Sequence, residues 1–247
     1  HKIALADEKM LPDVALLNTV FLNGLPAKVV ADTGMDVLTH SIEAYVSTNA
    51  NPFSSSFAMK SIKLIFENLV AHYNDRKIQG PKENVQFASC LAGIAFDNSS
   101  LGINHSIAHT VGAKFHIAHG RANAIIMPYV IEVNTEANRK YFEISRELGL
   151  PSDTIEEGKY SLLSFVRILK EKLAIEKSLK DYNGAIYAID AKTISVETIG
   201  RYFPNTAMLA AIVKITGIMS DEDFLRDMEG SFKHKFATKP EVIEGNM

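Results

Sequence analysis

The sequence predicts a mainly α, multihelical protein that opens on a short extended, β-like segment. Three observations carry this reading. After Gly24 and Pro26 the apolar residues recur at three- and four-residue steps, the helical period. Pro26, and Pro52 with the Ser54–Ser56 cluster behind it, stand where helices start. Before Gly24 the aliphatic runs IALA and VALLNTVFL, broken at Leu11-Pro12 and Asp13, read as short strands.

The elements follow in order. Met35, Leu38, Ile42 and Tyr45 form the stripe of a first helix that ends at STNANP. Met59, Ile62, Ile65, Phe66 and Val70 mark a long second helix. Residues 82–97 and 101–114 read as two more, the first so apolar that it is expected to be central. Arg121 to Val133 is another, followed by 136–148, 155–173, 192–202 and 206–217.

Composition narrows the function. Hydrophobic residues make up 47% and charged ones 22%, an ordinary globular balance. Lys and Arg total 26 against 29 Asp and Glu, with no basic stripe, which argues against a nucleic-acid partner. The one cysteine, Cys90, is expected as a buried small hydrophobe and fits a reducing cytoplasm. No apolar run reaches a membrane span, and HKIALADEKM lacks the apolar core of a signal peptide. A soluble, cytoplasmic protein is expected. No GxG or GxxxxGK loop occurs to cradle phosphates.

The chemistry concentrates in two segments. GINHSIAHTVGAKFHIAHG holds four of the eight histidines, and GMDVLTHSIEAYVS holds Asp36 and His40. Asp36 and His40 are four apart, on one helix face one turn from each other; His105 and His109 repeat the spacing, and His119 follows. One carboxylate with several imidazoles suits a divalent first-row cation, and the donor set is compatible with both zinc and iron. A buried hydrogen-bond network with Asp36 as acceptor is the bland alternative. The His-Asp dipeptide of HD-type phosphohydrolases, paired Glu-x-x-His motifs and HExxH are all missing. Glu43, three residues after His40, is a candidate acceptor for that histidine's other nitrogen or a packing residue. His116 is expected toward the pocket or solvent, His72 and His234 at the surface, and Phe115 in a pocket wall or the core.

The stretches ADTGMDVLTHSIEAYVSTNANP and GINHSIAHTVGAKFHIAHGRANAIIMPYVIEVN resemble the two signatures of the iron-containing (group III) alcohol dehydrogenases. The likeness runs from Lys2 to about Gly149, and KFHIAHG is similar to the alcohol dehydrogenase half of aldehyde-alcohol dehydrogenases. This resemblance implies a dehydroquinate synthase-like α domain over residues 26–247, with residues 1–25 as residual strands of a missing amino-terminal nucleotide-binding domain. It implies Asp36, His40, His105 and His119 as ligands to Fe2+ (Zn2+ as the alternative), and His109 as a catalytic, non-ligand histidine that relays a proton. Lys2 and Val29 would flank NAD or NADP, although the family's GGGS turn is absent here. The implied activity is interconversion of a small alcohol and aldehyde, in a homo-oligomer. Two rivals are a non-catalytic metal-binding or assembly module, and a relative of glycerol dehydrogenase or dehydroquinate synthase, which use three protein ligands.

Overall fold

Pro26 stands as N-cap in extended backbone (φ −60°, ψ 146°) and hands the chain to a long helix. The computed structural model describes residues 12–178 and isolated positions between 220 and 229. The chain divides into two compact units, His1–Gly184 and Ala185–Met247. The first contains α1 (Ala27–Val46), α2 (Pro52–Asn74), α3 (Gln79–Asp97), α4 (Ile103–Phe115), α5 (His119–Val133), α6 (Asn138–Glu147) and α7 (Ile155–Lys172). Each matches a helix expected from the periodicity, with ends shifted by a few residues. The helices expected at 192–202 and 206–217 lie outside the described residues.

Local chemistry sets the boundaries. Asn51 accepts from the backbone N–H groups of Phe53 and Ser54 at 3.0 Å, while Ser54 Oγ accepts from Asn51 N at 3.0 Å. That reciprocal pair, with Pro52 in the first turn, starts α2. Thr154 caps α7 through Glu157 N at 3.1 Å, and Glu156 and Glu157 complement the dipole there.

Helix α1 is the hub, packed against α2, α3 and α5. Its buried stripe of Val30, Met35, Leu38 and Ile42 meets Ile62, Ile65 and Leu69 of α2, Ile125 and Ile131 of α5, and Leu162 and Val166 of α7. Each such side chain contributes about 1.5–3 kcal/mol by leaving water. A polar thread crosses the same core. Ser41 Oγ donates to Ser61 Oγ, and Ser61 Oγ donates to the Ala88 carbonyl, both at 2.8 Å, tying α1, α2 and α3 together.

Four expectations are corrected. Helix α3 is lateral rather than central: Ala88, Leu91, Ala92 and Ala95 form a narrow buried stripe, while Phe87 and Ile94 remain 48% and 41% exposed. Small alanines let that stripe approach its neighbours closely, and high apolar content on the other face misled the periodicity reading. Cys90 is accordingly half-buried. The second expected strand is a 3-10 turn over Thr19–Leu22, because the Asn18 side chain accepts from Val20 N at 3.0 Å and closes a turn. The first, IALA, falls outside the described residues, and no strand occurs among those described. Finally, His72 is 2% exposed. It extends the Ile62, Ile65, Leu69 stripe by one more helical step, so its position belongs to the core face.

Candidate metal centre

Three helices converge on one point. Helix α1 carries Asp36 and His40, α4 carries His105, and His119 opens α5. Between α4 and α5 the chain turns at His116, which adopts the left-handed conformation (φ 55°) and ends α4. Ile117 is then buried, and Ala118 precedes the first turn of α5. The close approach of α5 to α1 needs a glycine: a Cβ on Gly120 would lie 2.0 Å from the Asp32 carbonyl oxygen. Arg121 fastens the same junction by donating from Nε to Asp32 Oδ1 (2.9 Å) and from Nη1 to Glu176 Oε2 (2.5 Å).

Asp36, His40 and His105 each offer a donor atom, all within 4.8 Å of one another. His105 Nε2 and His119 Nε2 both lie 3.7 Å from Asp36 Oδ1, and His40 Nδ1 lies 4.0 Å from Asp36 Oδ2. The rings pack together: His40 stacks on Phe96 with centroids 4.7 Å apart, the His105 ring lies 4.3 Å from that of His40, and His119 is 5.3 Å from His105. Burial pushes the His40 imidazole below its ordinary range, against the opposing pull of Asp36. It is therefore neutral near pH 7, the form that offers a lone pair to a cation.

The donor set fits a divalent cation on one decisive observation. His105 is 2% exposed, and its Nε2 has no hydrogen-bond partner among the described residues. Its other nitrogen, Nδ1, lies 2.5 Å from the Glu43 carboxylate and gives its proton there. Nε2 is left facing the Asp36 oxygen without a hydrogen bond, an arrangement that a cation between them would satisfy.

Two residues that the sequence reading passed over complete the surroundings. Asn123, fully buried, donates from Nδ2 to Asp36 Oδ1 at 2.7 Å and lies 3.2 Å from His119 Nε2. Asn104 donates in turn to Asn123 Oδ1 at 2.8 Å. The signal was present in the spacing, since Asn123 follows His119 by four residues and Asn104 adjoins His105. Glu43 is an acceptor as foreseen, but for His105 on another helix rather than for His40.

The remaining expected residues are placed as follows. His109 is exposed, not enclosed like His105, and its ring stacks on His119 with centroids 4.9 Å apart. Val29, 37% exposed, lies two turns before Asp36 on α1. Lys2 and His234 fall outside the described residues. His116 is exposed. Phe115 is half-buried against the cluster of Ala108, Ile117, Ala122, Ile126 and Val130, with the Lys114 ammonium 5.4 Å from its ring centre.

Comparison with known proteins places the chain in a family. The model of the Fe-containing alcohol dehydrogenase family, C-terminal part, matches residues 30–215. The chain belongs to that family. An NADPH-dependent butanol dehydrogenase of Clostridium saccharobutylicum is 44% identical over 182 residues, covering 73% of this chain and 46% of that enzyme. An aldehyde-alcohol dehydrogenase of Streptococcus pneumoniae is 42% identical over 196 residues, covering 73% of this chain and 22% of the relative. The solved iron-containing alcohol dehydrogenase of Thermococcus thioreducens superposes with a TM-score of 0.68 at 32% identity, over 77% of this chain and 49% of that one. This chain thus spans about half the length of these relatives, or less. No helix among the described residues is long and apolar enough to cross a membrane.

Proposed function

We propose that this chain is the metal-binding part of an NAD(P)-dependent alcohol dehydrogenase that interconverts a small alcohol and its aldehyde. The observation that carries the reading is the buried His105 Nε2, aimed at Asp36 and without a hydrogen-bond partner among the described residues. Asp36, His40, His105 and His119 hold a divalent cation, Fe2+ by family with Zn2+ as the alternative. Three neutral imidazoles and one carboxylate leave such a site with a net positive charge, while the carboxylate aids retention. When bound, the cation supplies Lewis acidity toward the alcohol oxygen and the nicotinamide of NAD or NADP takes up the hydride.

The chain's own residues supply the rest. His109, stacked on His119 and open to solvent, takes the alcohol's proton and passes it outward. Val29 presents an aliphatic surface to the nicotinamide, with Lys2 near the cofactor. Residues 1–25 belong to the trailing edge of an upstream nucleotide-binding domain, the metal-binding part follows from residue 26, and the intact enzyme is a cytoplasmic homo-oligomer. The exposed Val14, Leu16, Val20 and Phe21 support a covered amino-terminal edge. The place of His40 in the donor group favours this reading over relatives with three ligands.

Metal content separates this function from a polar network. Anaerobically purified chain is expected to carry about one iron or zinc. His119→Ala empties the site, whereas His109→Ala keeps the metal and, in the intact enzyme, slows turnover. Equal metal in wild type and His119→Ala would rule out the ligand set.

A further inference from the structure

Helix α4 begins without a side-chain cap of its own, since its N-cap is Gly102. The cap comes from another helix. Glu43 of α1, 6% exposed, reaches across so that Oε1 accepts from Asn104 N at 2.8 Å and Oε2 from His105 N at 3.3 Å. The same Oε2 receives the His105 Nδ1 proton at 2.5 Å. Orphan amides and the positive end of the helix dipole thus meet a carboxylate that also grips a ring. The approach is close: a Cβ on Gly102 would lie 2.7 Å from Glu43 Oε1, so the carboxylate would have to shift.

We propose that Glu43 is the positioning residue of the metal centre, capping α4 and locking His105 in the tautomer and orientation that present Nε2 to the cation. The inference rests on the metal reading above. Glu43 follows Asp36 by seven residues and His40 by three, so one face of α1 supplies two donors and the orientation of a third. A carboxylate behind a ligating imidazole fixes the ring and raises its basicity, and losing such a partner typically lowers metal affinity about 10–100-fold.

The test is Zn2+ affinity of the full chain by competition with a chromophoric chelator, alongside thermal melting of the metal-free protein. Glu43→Gln keeps an oxygen for the Asn104 amide but loses the charge. It is expected to bind Zn2+ about 10–100-fold more weakly, by a factor that exceeds any change in melting of the metal-free form. Gly102→Ala, which alters no donor atom and only crowds the carboxylate, is expected to weaken binding in the same direction. It decides the matter if Glu43→Gln fails to fold. Wild-type affinity in both variants overturns the proposal, and so does a drop in melting temperature with affinity intact. Wild-type chain that binds no Zn2+ overturns the metal reading itself, and this inference with it.

Discussion

Replacing Gly120 by alanine tests how tightly the centre depends on the α1–α5 approach. The added Cβ would lie 2.0 Å from the Asp32 oxygen, 2.7 Å from the Asp32 carbonyl carbon and 3.0 Å from Asp36 Cβ, where ordinary contact starts at 3.4 Å. The first two are backbone atoms, so no rotamer change relieves the overlap and α5 must retreat by more than an ångström. Alanine is favoured over glycine within a helix by about 1 kcal/mol. Overpacking of a tight contact costs about 1–3 kcal/mol, and because the receiving atoms are rigid backbone the upper part of that range, about 2–3, applies here. A net loss of about 1–2 kcal/mol follows, which for a unit of this size lowers the melting temperature by roughly 2–8 °C. The effect on metal is larger. His119 adjoins Gly120, and ligand distances tolerate only about 0.2 Å of error, so affinity should fall at least about tenfold. Melting of the metal-free chain by circular dichroism and chelator competition for Zn2+ read the two effects separately. A Gly120→Ala chain that melts at or above wild type and keeps its affinity would refute the reasoning.

Three further outcomes are expected. Burial first, then Lys82 and Arg76, hold the His72 imidazole below its ordinary 6.5, so the unfolded chain binds a proton that the folded chain refuses. Stability is therefore full above about 6.5 and declines as pH falls below it; His72→Gln should flatten that limb in denaturant titrations, and an unchanged slope would count against it. Ser61→Ala strips both Ser41 and the Ala88 carbonyl of a buried partner and should lower stability by about 1–2 kcal/mol in urea unfolding. A neutral result would mean that the α1–α2–α3 thread contributes nothing. Arg121→Ala leaves the largely buried Asp32 carboxylate without its guanidinium, a loss of about 3–5 kcal/mol that Asp32→Asn in the same chain should partly restore. Additive single and double variants would show that the pair is not coupled.

Much of this architecture was legible because helix periodicity and start signals agree locally. Pro26, Asn51–Pro52 and the Met35–Leu38–Ile42 stripe each occur where the helices run. The proximity of Asp36 and His40 was legible for a related reason: they share a face of one helix, so their spacing implies it. What spacing cannot convey is contact between helices. That Glu43 serves His105, across sixty-two positions of chain, depends on how α1 meets α4. The same holds for Asn104 and Asn123, which look like ordinary polar residues until α4 and α5 are side by side. Composition misled at α3, where apolar residues on two faces read as centrality although Phe87 and Ile94 stay exposed opposite the Ala88, Leu91, Ala92 and Ala95 stripe.

If Asp36 and His40 hold a cation as proposed, the place of α1 as core hub bears on how quickly that ion exchanges. Moving Asp36 and His40 as backbone would mean withdrawing Met35, Leu38 and Ile42 from the middle of the unit, which amounts to unfolding it. On the proposed ligand set, loading and release would instead proceed through rotation of the partly open side chains, Asp36, His40 and His119 at the rim, with buried His105 held in place. Exchange should then be governed by ligand-swing rates and be insensitive to mild denaturant, up to the concentration at which the whole unit opens.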